Sequence, residues 1–436
     1  MTPPGRPDSG VGAAGGPGPV VVIGAGIIGA LTALHLRRIG LTVILIDRAD
    51  PGSGCSFGNG GAISPDLCVP VALPGMLRRV PRWFADPLGP LVVRWGSLPS
   101  ALPWLVRWIR AGRMDRVERA ATALRALHAP SLDRYEKVLG PEAAGLIERT
   151  GQLYVWKTDA AGPTEQLAQD LRARNGVESR PLDAAAIYDI DAELAPGFRR
   201  GLFFPDNGHT VKPLRLVQTL VGKLVDAGGT VRRDHVVALD HSGQRVAGLR
   251  LASGQRIEAG SVVLATGMDA TAFARECGDP VPLQAERGYH VMLPNPRVRP
   301  VIKISNRDQM FGMTPMEHGV RIAGTVEIAT PEAPFNEQRA WGLLTLAKRM
   351  YPRLDGAGAT VWMGCRPSTP DSLPVIGRAR QAANLVYAFG HGHSGLTGAP
   401  MTAELVAHWL GGGVPPIDPA PYRPDRFRGV STHAFS

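Results

Sequence analysis

A short apolar β run, Val20 to Ile23, breaks into Gly24-Ala25-Gly26-Ile27-Ile28-Gly29. It passes into a helical pattern through Ala30, Leu31, Leu34 and Leu36, then into a second β run, Leu41 to Ile46, that ends at Asp47. No other stretch limits the fold so tightly. A strand, a glycine-rich turn, a helix and a strand closed by an acid form a βαβ unit in which each residue has a task. Gly24 permits the tight turn, Gly26 lets backbone N–H groups of Ile27 and Ile28 approach a diphosphate at the helix N-terminus, and Gly29 allows close helix–strand packing. Asp47, with Arg48 beside it, stands where a ribose hydroxyl would be accepted and a 2′-phosphate repelled. The implied ligand is a dinucleotide, NAD or FAD.

Later motifs narrow the choice. Ser261 to Gly267 (SVVLATG) is an apolar strand ending in a small-residue turn, with Ala265 and Gly267 as candidate contacts. A strand returning beside the cofactor from so far along the chain points to FAD. No second GxGxxG lies on a strand–helix junction, so no separate NAD(P)H domain is expected and the electrons come from an organic substrate. The loop Gly52 to Ser64 (GSGCSFGNGGAIS) offers Ser56, Asn59 and Gly61 to a phosphate or ribityl chain. Val236 and Val237, in a β run from Thr230 to Leu239, complete the cofactor side.

Two C-terminal motifs bear on the reaction. Arg366, within Trp362-Met363-Gly364-Cys365-Arg366-Pro367, has a planar fork suited to a carboxylate by two parallel hydrogen bonds. Gly390-His391-Gly392-His393-Ser394-Gly395 opens the last helix, with Leu396 and Thr397 following. A helix N-terminus there would stabilise negative charge on a flavin's pyrimidine edge. The contacts expected from this motif are Gly392, His393, Ser394, Gly395, Leu396 and Thr397. The two histidines lack a third ligand, so no metal site is expected.

The chain has 436 residues, 44% of them hydrophobic, which suffices for two domains. Residues 1–19 read as a flexible tail without a signal-peptide core, and no apolar window of about 18 residues predicts a membrane span. Four cysteines without CxxC spacing fit a reducing cytoplasm. The net charge of +10 comes with only six lysines and scattered arginines, so nucleic acid is excluded; an anionic substrate or a membrane surface is the better reading. Leu67 to Arg113 carries Trp83, Trp95, Trp104 and Trp108 among arginines. It reads as a packed helical lid, with a peripheral contact to the inner face of the plasma membrane as the alternative.

Dinucleotide-type elements occur in three blocks, 20–66, 208–281 and 355–412, with blocks of different character at 67–207 and 282–354. An interleaved two-domain α/β protein follows, with a discontinuous Rossmann-like FAD-binding domain and an α+β substrate domain.

The ordered set GAGIIG, Asp47, SFGNGGAIS, LATG, RGY, GCRPSTPD, PVIGR and GHGHSG resembles the FAD-dependent D-amino acid oxidase and dehydrogenase family, and most closely the bacterial D-amino acid dehydrogenases. The likeness runs from Val20 to about Gly412. It implies a substrate domain built on an antiparallel sheet, Arg366 as carboxylate clamp, and Tyr289 in the RGYHV strand near the ring. The stretch Gln309 to Met313 departs from several relatives in lacking a tyrosine. Cys365 is one residue out of register with the flavin-attaching cysteine of related amine oxidases, so FAD binding is read as non-covalent. The resemblance implies oxidative deamination of a small D-amino acid by hydride transfer from Cα to flavin N5, with oxygen or quinone as acceptor. A cyclic or secondary amino acid such as a hydroxyproline isomer, or a sarcosine- or glycine-oxidase-like substrate, is the alternative.

Overall fold

Val20–Ile23 is buried at all four positions, and its side chains alternate between two apolar layers. Val20 and Val22 pack among the helices Ile27–Arg38, Pro213–Asp226 and Gly395–Gly411, whereas Val21 and Ile23 face a three-stranded antiparallel meander. The strand sits inside a six-stranded sheet of order Thr230–Arg233, Val43–Asp47, Val20–Ile23, Ser261–Leu264, Leu385–Phe389, Val375–Arg378. All pairs are parallel except the last. Strands buried on both faces need continuous apolar runs, which VVVI, VILI and SVVL supply. The computed structural model describes residues 18–76, 89 and 91–428; most of the N-terminal tail and Trp83 of the aromatic stretch lie outside these residues.

The meander consists of Val236–Ser242, Arg245–Leu251 and Arg256–Glu258. The single β run expected from Thr230 to Leu239 therefore divides between two sheets. The N–H of Asp234 donates to the Asp47 carbonyl at 2.8 Å, and beyond it the chain leaves the parallel sheet.

A second, larger sheet runs Thr360–Ser368, Gln284–Leu293, Gly319–Ile328, Phe311–Met316, Lys303–Asn306, Gln152–Trp156, Arg200–Phe204, Arg180–Asp183. Most pairs are antiparallel. Lys303–Asn306 pairs parallel with Gln152–Trp156, and Leu91–Val93 adds a parallel edge to Gly319–Ile328. Helix Glu337–Met350 covers one face through Ala340, Leu343, Leu346 and Ala347. Segment 355–412 serves both sheets, since Thr360–Ser368 belongs to the large one and the next two strands to the parallel one. Helices Met114–His128 and Ser131–Leu139, from segment 67–207, pack into the same core as helix Ile27–Arg38.

Candidate active site

The parallel sheet reverses direction of winding between Val20–Ile23 and Ser261–Leu264, and a crevice beyond the carboxyl ends of strands at such a point is where α/β sheets hold ligands. A cavity of about 810 Å³ begins there and extends to the large sheet. That volume lies within the roughly 300–1,000 Å³ of cofactor and small-molecule sites.

At the crevice the glycines are required by backbone proximity. Gly24 has φ +102°, and a Cβ on it would stand 2.5 Å from the Ala265 carbonyl oxygen. A Cβ on Gly29 would stand 2.9 Å from the Gly24 carbonyl carbon, so the helix could not approach the turn. Gly26 begins helix Ile27–Arg38 with no capping side chain of its own, and the helix end lines the cavity. Ser56 Oγ accepts the N–H of Ile27 at 2.9 Å and ties the 52–64 loop to that end. Asp47 accepts Ala25 N–H at 2.6 Å on one oxygen and Ala49 N–H at 2.9 Å on the other. A carboxylate has further lone pairs, which could accept ribose hydroxyls. Arg48 pairs with Asp269 at 2.8 Å across the mouth.

Along the large sheet, Arg366 is set by register. Strands Gln284–Leu293 and Thr360–Ser368 pair Glu286 with Arg366 and Gly288 with Gly364. The guanidinium lies over Gly288, where any side chain would overlap it. Opposite Gly288 the next strand bulges between Arg287 and Tyr289. Thr325 in the bulge takes φ 56° and turns its carbonyl to accept from Arg366 Nη1 at 3.3 Å. Among the described residues no carboxylate forms an ion pair with Arg366, and burial lowers its affinity for a proton against the opposing pull of Glu286. Burial also raises the carboxyl of Glu286, with Arg366 and Ser368 acting in opposition. The neighbouring His393 ring faces the cavity. Desolvation by the surrounding protein, then the charge of Arg366, then His128 and Arg307, lower its proton affinity to about 4, although the residue is open to the cavity.

Tyr289 reaches the cavity wall, but its hydroxyl donates to Glu327. Glu327 is fully buried and also meets Arg287 at 3.1 Å, Arg94 at 2.9 Å and Asn336 at 3.3 Å. Burial alone would raise this carboxyl; the bonds from Tyr289, Arg94 and Asn336 and the Arg287 charge outweigh it and hold it low. Tyr289 thus ends a packed ionic network.

Of the sequence-predicted site residues, Gly24, Gly26, Ile27, Ile28, Asp47, Arg48, Ser56 and Asn59 line the cavity on the N-terminal side. Val236, Ala265, Gly267, Gly392, His393, Gly395, Leu396, Tyr289 and Arg366 line it from later in the chain. Five do not reach it. Gly29 and Gly61 serve backbone packing, the latter against the Thr210 carbonyl. Val237 points outward, as the neighbour of an inward strand residue must. Ser394 Oγ donates to the His391 carbonyl, and Thr397 Oγ1 accepts Ser64 N–H. Lys303, Ser305, Arg307, Thr314 and Trp362 line the cavity without having been singled out; the two-residue spacing of Lys303, Ser305 and Arg307 was their available signal. No group of three metal-ligating side chains exists among the described residues.

A family model described as FAD-dependent oxidoreductase, DAO, matches residues 19–409. The chain belongs to the DAO family of FAD-dependent oxidoreductases. A D-amino-acid oxidase of Bradyrhizobium diazoefficiens is 38% identical over 419 residues, covering 94% of this chain and 98% of that protein. A D-amino acid dehydrogenase of Paramagnetospirillum magneticum is 31% identical, covering 90% and 95%. The fold is shared with L-proline dehydrogenase from P. horikoshii, at TM-score 0.72 and 19% identity over 94% of this chain and 97% of that one. It is also shared with iminodiacetate oxidase from Chelativorans, at TM-score 0.69 and 20% identity over 93% and 98%. The family's cofactor is FAD, and the residues of the crevice fit it: closely approached glycines at a helix N-terminus suit a diphosphate, and Asp47 keeps lone pairs that could accept a ribose hydroxyl.

Proposed function

We propose that this DAO-family enzyme oxidises the carbon–nitrogen bond of a small amino acid to its imino acid, which water converts to the 2-oxo acid. The observation that carries this is Arg366, a guanidinium on the cavity wall without a carboxylate partner among the described residues. An enclosed charge of that kind calls for a counter-ion, and a substrate carboxylate supplies it in bidentate geometry. FAD, when bound, would supply the two-electron oxidation that takes the hydride from the substrate's Cα. Gly24, Gly26, Ile27 and Ile28 would hold its diphosphate, Asp47 its ribose, and Ser56 and Asn59 the middle of the molecule. Arg366 orients the carboxylate, Thr325 fixes Arg366, and neutral His393 adds no competing charge. No dedicated base is placed, because the free amine's lone pair assists departure of the hydride. Stereochemistry follows the relatives, which are named for D-amino acids.

The finer partition is two interleaved units, 20–66, 208–281 and 355–412 around the cofactor and 67–207 and 282–354 around the substrate, except that strand Thr360–Ser368 joins the substrate-side sheet and helices Met114–His128 and Ser131–Leu139 the cofactor-side core. Oxygen or quinone is the terminal acceptor. The described cysteines are all free, which suits a reducing cytoplasm. No described helix is long and apolar enough to cross a membrane. Trp104 is buried and donates its Nε1–H to the Ser368 carbonyl, which favours a packed cover for helix Leu98–Ala111. Leu102, Val106 and Ile109 on the same helix are exposed beside Arg107 and Arg110, the feature that favours a peripheral lipid contact as the second reading.

The test is anaerobic flavin bleaching across D- and L-amino acids, prolines, glycine and sarcosine. At least one amino acid is expected to bleach the flavin, and Arg366→Ala is expected to raise KM by on the order of 10²-fold. Unchanged KM and kcat in that variant would remove the clamp.

A further inference from the structure

The cavity carries more positive charge than one carboxylate uses. Lys303, Ser305 and Arg307 follow one another at the two-residue period of strand Lys303–Asn306 and its continuation, so one face presents all three to the cavity. Arg307 is stacked over the Tyr154 ring at 4.7 Å, which holds its stem in place. Among the described residues no carboxylate forms an ion pair with it, because the nearby acids are engaged elsewhere. Asp66 pairs with Arg172 at 3.4 Å and accepts from Asn207 at 2.7 Å, and Glu165 is taken by Arg200. Lys303 is buried, and among the described residues its Nζ hydrogen-bonds only to Ser305 Oγ at 3.5 Å, a long contact for an ammonium. Burial brings it down to about 8, against the pull of Asp66, so it remains largely charged at pH 7.

Charge is segregated along the cavity. Its acidic lining residues, Asp47, Asp50, Asp234 and Asp269, all flank the dinucleotide crevice, and Arg48 is paired there. The large-sheet end has Lys303, Arg307 and Arg366 and no acid in its lining. Arg307 and Arg366 thus line the same cavity. A single α-carboxylate satisfies one of them. An enclosed cation left without a counter-ion is costly, and a second anionic group on the ligand removes that cost.

We propose that the substrate is an amino acid bearing a second carboxylate on its side chain, with Arg366 binding the α-carboxylate and Arg307 and Lys303 the side-chain one. This rests on the amino-acid reading above. The experiment is stopped-flow anaerobic flavin reduction of the holoenzyme by D-aspartate and D-glutamate against D-asparagine and D-glutamine. The wild type is expected to favour the acids in kcat/KM by on the order of 10- to 100-fold, the range of a charge-assisted hydrogen bond. Arg307→Met should bring the acid-to-amide ratio toward one while FAD stays bound. Equal rates for acid and amide in the wild type overturn the proposal. So does an Arg307→Met protein that keeps FAD and keeps the wild-type ratio, or one that purifies without FAD, since the cations would then serve the cofactor's phosphates. Should Arg307→Met fail to fold, Lys303→Met and inhibitor binding to the wild type decide: succinate is expected to bind about 10-fold tighter than butyrate, and equal affinity overturns the proposal. Bleaching by neutral amino acids alone sinks this inference only, whereas a flavin that no amino acid bleaches sinks the amino-acid reading with it.

Discussion

Replacing Gly288 by alanine is expected to disable substrate binding while leaving the flavin in place. A Cβ built on Gly288 stands 2.9 Å from Arg366 Nε and nearer still to Cζ and Nη2, where ordinary contact begins at 3.4 Å. The backbone itself accepts alanine, because Gly288 is not among the residues with positive φ. Alanine in a strand is favoured over glycine by roughly 0.5–1 kcal/mol, so the fold has little reason to fail. What must yield is the far end of Arg366, by roughly 1 Å or more, and that shift takes the fork out of line with a carboxylate. Loss of one charge-assisted hydrogen bond costs about 1.5–3 kcal/mol, or about 10- to 100-fold in kcat/KM. The assay is single-turnover anaerobic reduction against substrate concentration, with FAD content measured from the visible spectrum. A folded, flavin-loaded Gly288→Ala protein with wild-type substrate dependence would refute the placement of the carboxylate beside this guanidinium.

Gly29→Ala meets backbone rather than a movable side chain, 2.9 Å from the Gly24 carbonyl carbon; purified protein is expected to be largely colourless, and stoichiometric FAD would contradict the packing argument. Glu327→Ala leaves the fully buried Arg287 without its counter-charge and is expected to cost about 3–5 kcal/mol by urea denaturation, with a loss under about 1 kcal/mol counting against the network. Acid sensitivity follows from His128, His290 and His391, all buried, whose proton affinities burial brings from 6.5 to about 4, 3 and 3. Between those folded values and 6.5 the unfolded chain binds more protons, so stability rises with pH in that window and falls on acidification through it. Each histidine contributes roughly 1.4 kcal/mol per pH unit, so Tm is expected to drop clearly from pH 7 to pH 5, and a flat Tm profile would refute the neutral assignment.

The dinucleotide crevice was legible in the residues themselves because its requirements are local. A strand, a turn and a helix N-terminus within residues 20–47 must satisfy Gly24, Gly26, Gly29 and Asp47 together, and no distant segment changes what a GxGxxG turn can do. Arg366 was recognisable by motif, yet its environment was not: the platform of Gly288 and the carbonyl of Thr325 come from strands far away in sequence, joined by register. Register depends on which faces are buried across a whole sheet, and a slip of one residue would turn Arg366 away from the cavity. For the same reason Tyr289 proved to be committed to Glu327, Ser394 and Thr397 to packing, and Val237 to solvent. The meeting of Arg307 and Lys303 with Arg366 across one cavity was decided only by tertiary structure. The charge of each side chain is written in the sequence, but whether it finds a partner depends on what the fold leaves beside it.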